Sequence, residues 1–133
     1  MKEIIRLDKS HLQGIYGEWL IEMAGEFNKH LGFTASSQEK VRNGFESILN
    51  HPSYSAIFMA LLHGQPKGFM YCNLGHGLSC GGMYVWINGI YIMPDARGHK
   101  FGMSLLEQAI SWARGEGAIY AIALRHTDRK STR

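Results

Sequence analysis

The chain lacks most of the features that would set it apart from ordinary globular proteins. Of its 133 residues only two are cysteine, Cys72 and Cys80. They supply no disulfide framework and no metal-like cluster, and read as free thiols of a reducing compartment. No long apolar stretch occurs at the start or later, which argues against a membrane span or membrane partner and points to a cytoplasmic protein. Charged residues make up 19% of the chain and the formal net charge is +3. No dense Lys/Arg block precedes the last few residues, so the charge pattern gives no reason to expect a nucleic-acid partner. The seven histidines are scattered, without His-x-x-x-His spacing on a helix, and no metal site is expected. There is no internal repeat and no low-complexity tract. What remains is 45% hydrophobic, one domain over residues 1–133, large enough to bury a core without staples.

Residues 2–7 read as a short strand centred on Ile4 and Ile5. Asp8 or Ser10 can cap the helix that follows by accepting from its first N–H groups. Leu12, Ile15, Tyr16, Trp19, Leu20, Met23 and Phe27 then recur at steps of three and four, a wide apolar stripe on a long first helix. Glu18, Glu22 and Glu26 recur every four residues on one face, which is either a solvated face or a wall that attracts cations. Residues 28–34 form a loop with Gly32. Ser36 and Glu39 match a capping box, opening a second helix with Val41, Phe45, Ile48 and Leu49 on its apolar face. Residues 54–62 are a mostly apolar strand, buried on both faces. Residues 63–66 make a hairpin turn and 67–74 return as the partner strand. Residues 75–82, rich in glycine, read as a flexible connection.

The chain is organised around residues 87–112. Residues 84–93 are β-branched and aromatic, as a buried strand prefers, and Pro94 ends the run because it has no N–H for a neighbouring strand. Asp95, Ala96, Arg97, Gly98 and His99 form a turn. From Phe101 onward Leu105, Leu106, Ala109, Ile110, Trp112 and Ala113 keep helical spacing, and Gly115 and Gly117 stop the helix. The turn thus brings the free N–H groups and positive dipole end of a helix to the end of a strand, a place for an anion such as phosphate. The alternative is an ordinary strand–helix unit whose glycines merely allow a tight turn and close packing. Residues 118–124 form a last buried strand.

The stretch from Ile90 through Pro94, Arg97, Gly98 and Lys100 to Gly102 resembles the acetyl-CoA-binding motif of the Gcn5-related N-acetyltransferases: a hydrophobic strand, Arg/Gln-x-x-Gly-x-Gly/Ala, then a helix. Arg97 and Gly102 match, whereas Lys100 stands where the family usually has its first glycine. The order of elements upstream fits as well. The resemblance implies an α/β (α+β) fold with a mixed, mostly antiparallel central sheet flanked by helices. The family normally continues with one more helix and two more strands, so a shortened member is expected, with residues 118–124 as an exposed apolar edge that invites a homodimer.

The resemblance further implies acetyl-CoA as cofactor, no metal, and transfer of acetyl by direct attack of a primary amine on a small molecule or peptide. Backbone groups of Ile90 and Ile92 would bond the pantetheine arm like another strand. The N–H groups of Gly98, His99, Lys100, Phe101, Gly102 and Met103, with Arg97, would hold the pyrophosphate. Lys100 lacks the freedom of glycine; either its ammonium contacts phosphate directly or it weakens the site. Many family members carry a glutamate base where this chain has Asn88. Asn88 cannot act as a base but can orient a water or an acceptor; alternatively it is a strand polar group at a bulge. Tyr91 is the second catalytic candidate, and Tyr71, His76 and Glu18 are further base or relay candidates. His63 and His76 sit in turn-like stretches, and His126 lies near the expected end of the cleft. The competing function, from a different class, is a catalytically impaired CoA-binding or protein-interaction module.

Overall fold

Residues 55–61 are buried without interruption, as in a strand covered on both faces. In the computed structural model, which describes residues 1–30 and 38–123, this strand is β2 (Ser55–Leu62) of a single five-stranded sheet. The others are β1 (Lys2–Arg6), β3 (Gln65–Gly77), β4 (Gly82–Ile92) and β5 (Tyr120–Ala123), and the strands lie side by side in chain order. The first four pair antiparallel; β5 returns parallel to β4 after a helical crossover.

Alternate residues of β2 feed two cores. Ile57, Met59 and Leu61 pack with Leu20, Met23 and Phe27 of α1 (Ile15–His30) and Phe45 and Leu49 of α2 (Gln38–Leu49). Ala56, Phe58 and Ala60 pack on the other face with Phe101, Leu105, Ala109 and Ala113 of α3 (Phe101–Gly115). Full burial of each large apolar side chain contributes roughly 1.5–3 kcal/mol, so this mixed, mostly antiparallel sheet is held between α1 and α2 on one face and α3 on the other.

Three expectations change. The first helix is interrupted: Asp8 caps a 3₁₀ turn (Lys9–Gln13), Gly14 breaks it, and α1 starts at Ile15, so Leu12 is buried from the 3₁₀ turn. The connection expected over residues 75–82 shrinks to a turn at residues 78–81, because Gly75 pairs with Tyr84 and Gly77 with Gly82, which places 75–77 and 82 in the strands. A Cβ on Gly75 would lie 2.8 Å from the Tyr84 ring, so glycine serves packing there. Finally, among residues 118–121 only Ala118 is buried. Ile119 and Tyr120 are 63% and 55% exposed, because β5 lies at the sheet edge. Gly32, the Ser36 half of the capping box, Leu124 and His126 lie outside the described residues.

Candidate functional site

One residue governs the middle of β4. Tyr71 of β3 lies opposite Gly89 and Cys72 opposite Ile87, so Asn88 is an extra residue with no partner, a β-bulge. Such an insertion moves every later side chain to the other face. Before it, Val85 and Ile87 join the α3-side core; after it, Ile92 packs there and Tyr91 turns to the α1 side. The exposed Asn88 amide donates from Nδ2 to Asn73 Oδ1 across the hairpin. Gly89 is needed beside it: a Cβ there would sit 2.6 Å from Tyr71 Cε1 and 2.9 Å from Phe27 Cζ. Asn73 was not foreseen, and only the hairpin register could have revealed it.

Beyond the bulge β4 has an outward edge. Met93 N–H donates to the Lys67 carbonyl on β3 at 2.9 Å. Antiparallel partners alternate between bonding inward and outward, so the N–H and C=O groups of Ile90 and Ile92 point away from β3. Among the described residues β5 runs beside β4 only at residues 84–87. No described strand therefore faces Ile90 or Ile92 on that side. The Ile92 carbonyl accepts from Arg97 Nε at 2.9 Å, and the Arg97 guanidinium lies 5.8 Å from the Tyr91 ring centroid.

The turn that follows is braced. Pro94–Ala96 make a short 3₁₀ turn, and Lys67 Nζ bonds Asp95 Oδ2 at 3.0 Å. Gly98 takes φ 89°, and Lys100, the residue before α3, takes φ 66°, ψ 23°. The lysine has adopted the left-handed backbone expected of glycine at this place. Its side chain makes no capping bond, and Ser104 N–H is the first to bond back, to the Lys100 carbonyl at 3.1 Å. The N–H groups of Phe101, Gly102 and Met103 are thus the free donors of the helix start.

These elements enclose a cavity of about 350 Å³. Arg97, Gly98, Lys100, Phe101, Gly102, Met103 and Ile92 line it. His99 is exposed beside the loop, and neither it nor Ile90 lines the hollow; Ile90 Cδ1 lies 3.8 Å from where a Gly102 Cβ would stand. Phe101 is buried in the α3-side core, so it offers its N–H rather than its ring. A larger hollow of about 550 Å³ lies around Arg6 and Ser55. Its arginine is already spent, with Nη2 donating to the Pro52 and Ser55 carbonyls at 2.7 and 3.1 Å.

The remaining candidates are dispersed. Tyr91 is 6% exposed, packed against Phe27 and Phe69. Burial raises its phenol pKa, with Arg97 pulling it down and Glu26 pushing it up. Burial also raises that of Tyr71. Both phenols therefore stay protonated at neutral pH and are donors rather than bases. His63 is held in the first hairpin turn by the N-terminal amine at 2.8 Å. His76 pairs opposite Met83 near the tip of the second hairpin, five strand positions from Asn88 and so roughly 16 Å away. Glu18 is exposed on the first turn of α1. Among the described residues no three His, Cys, Asp or Glu are grouped to hold a metal, and no helix is long and apolar enough to cross a membrane.

The sequence profile of the acetyltransferase (GNAT) family matches residues 16–133. No curated protein matches the chain. Several solved structures share its fold. An integron cassette protein from the mobile metagenome of Cole Harbour Salt Marsh is 18% identical with a TM-score of 0.81, over 98% of this chain and 82% of that one. The aminoglycoside N-acetyltransferase AAC(6')-Iy, in complex with CoA, is 17% identical with a TM-score of 0.79, over 99% and 82%. Glucosamine-6-phosphate N-acetyltransferase from Arabidopsis thaliana is 17% identical with a TM-score of 0.73, over 98% and 86%. At such identities the likeness is one of fold.

Proposed function

The chain belongs to the acetyltransferase (GNAT) family, and from that premise we propose that it binds acetyl-CoA along β4 and the start of α3 and transfers the acetyl group to a primary amine. One observation carries this. The outward backbone edge at Ile90 and Ile92 leads to a cavity bordered by three free helix N–H groups. A pantetheine arm pairs with such an edge as a strand would, and a pyrophosphate matches the helix start. Acetyl-CoA, when bound, would supply a thioester for attack by the neutral amine: the C–N bond would form, the C–S bond would break, and CoA would leave as the thiol with a proton taken from solvent. Arg97 must release the Ile92 carbonyl for that edge to be fully available. Lys100, exposed at the lip, adds a positive charge. At the bulge the Asn88 amide orients a water or the acceptor, and the amine's proton leaves through that water to solvent. The Tyr91 phenol, kept protonated, serves at most as a relay donor.

The alternative, a CoA-binding module without turnover, draws support from the Asn88 amide, which is bonded to Asn73 and is no base. Calorimetric titration with acetyl-CoA tests the cofactor site: micromolar affinity is expected, and Gly102→Glu, which sets a carboxylate beside the pyrophosphate, should abolish it. Unchanged affinity in that variant overturns the site. Asn88→Ala should lower turnover with little change in acetyl-CoA affinity, and equal kinetics would return Asn88 to a purely structural role.

A further inference from the structure

A second, smaller cavity of about 110 Å³ lies on the α1 side of the same strand edge. Tyr91 of β4, Met93 just after it, and Pro66 at the start of β3 form one wall. Trp19, Glu22 and Glu26, at helical steps along α1, form the other. The Trp19 ring is held edge-on by Tyr16, with centroids 5.5 Å apart. The cavity therefore combines the Trp19 indole and an edge of the nearly buried Tyr91 with two carboxylates, the pairing that suits an alkylammonium group.

The Arg97 guanidinium already lies over the Tyr91 ring, so Trp19 is the ring of this wall left to a ligand. The negative charge opposite is not neutralised in return. Glu22 has no ion-pair partner among the described residues, and Glu26 has only the exposed Lys29, at 3.3 Å. Like charges four residues apart on a helix repel, so a second cation between them relieves a standing cost. The position also matters. The bulge at Asn88 and the position of Tyr91 are three residues apart on β4, roughly 10 Å along the strand, the span of an extended alkyl chain of about seven carbons with an amine at each end.

We propose that the acceptor is an aliphatic diamine, its distal ammonium held by Glu22 and Glu26 beside the Trp19 ring while its other amine reaches the bulge at Asn88. This rests on the acetyl-transfer reading for the role of the bound amine, but the cavity can be tested without acetyl-CoA. The ¹⁵N-labelled full chain is titrated with 1,7-diaminoheptane and, separately, with n-heptylamine, which lacks the second charge, following the Trp19 indole N–H. The diamine should shift that signal and saturate at about tenfold lower concentration than the monoamine. The preference should vanish in the Glu22→Gln, Glu26→Gln double variant and persist in Glu46→Gln, an exposed control on α2. Equal affinities for the two amines, or a preference that survives the double variant, overturn the proposal. If the diamine binds at Trp19 while acetyl-CoA fails to bind, the acetyl-transfer reading is what has failed, and the cavity stands as a diamine site. With acetyl-CoA bound, the same tenfold ratio should appear in kcat/KM.

Discussion

Replacing Lys100 by glycine separates the two things that residue does. Its backbone sits at φ 66°, where a residue with a Cβ is disfavoured by roughly 1–2 kcal/mol. Glycine escapes that cost but loses roughly 0.5–1 kcal/mol more backbone entropy on folding. The difference favours the variant by about 0.5–1 kcal/mol, a rise of roughly 2–4 °C in the unfolding midpoint for a domain of this size. Binding should move the other way. The ammonium is exposed, so its attraction to a phosphate contributes about 0.5–1 kcal/mol, or roughly a two- to fivefold loss of acetyl-CoA affinity at low salt. That loss should fade near 1 M salt, where the screening length is about 3 Å. Differential scanning calorimetry reads the first effect and isothermal titration at two ionic strengths reads the second. A lower midpoint would refute the left-handed lysine. An affinity gap that ignores salt would refute the electrostatic role, and tighter binding by the variant would mean that lysine weakens the site.

Two further tests concern the frame that holds the site. A Cβ added at Gly17 would stand 2.2 Å from the Leu12 carbonyl oxygen and within 2.8 Å of two more Leu12 backbone atoms, whereas one at Gly25 meets nothing within 4 Å. Both positions lie in α1, so helix propensity favours alanine at each by up to about 1 kcal/mol; Gly25→Ala should stabilise, and Gly17→Ala should destabilise by roughly 1–3 kcal/mol because backbone cannot step aside. Two shifts of the same sign in urea unfolding would refute the close 3₁₀–helix packing. Cys72 is 2% exposed, and burial pushes its thiol up to about 12 from an ordinary 9.0. The raised value means that its contribution is intact below pH 9.0 and is lost between there and about 12, as only the unfolded chain gives up the proton. Stability should therefore fall by about 1.4 kcal/mol one pH unit above the unfolded value. Cys72→Ala should flatten that slope, and an unchanged pH dependence would show that the thiol is not so buried.

The parts of the site that were legible in sequence are those set by near neighbours. Pro94 had to end a strand, Gly98 could take a positive φ, and the spacing from Phe101 to Ala113 could only be a helix, so the turn and its free N–H groups followed. The double burial of β2 was equally plain from its unbroken apolar run. The bulge was not, because it belongs to two strands at once. Asn88 alone does not reveal that Cys72 will face Ile87 while Tyr71 faces Gly89. Strict alternation would put Tyr91 on the same face as Val85 and Ile87, against α3. The extra residue instead turns Tyr91 toward α1, where it walls the cavity with Trp19 and the two glutamates. It also leaves Asn88 exposed at the midpoint of the edge. The glycines at 75 and 77 misled for a related reason: in isolation they suggest a loop, but opposite Tyr84 and Gly82 they complete a ladder. In the proposed reading, register thus decides which side chains would face an acceptor, whereas local spacing decides where the turn before α3 lies. A substitution that slipped the β3–β4 pairing by one residue would turn the N–H and C=O groups of Ile90 and Ile92 toward β3 and carry Tyr91 off the α1 face, so in the proposed reading the pantetheine edge and the acceptor wall would be lost together, with only the helix start left in place.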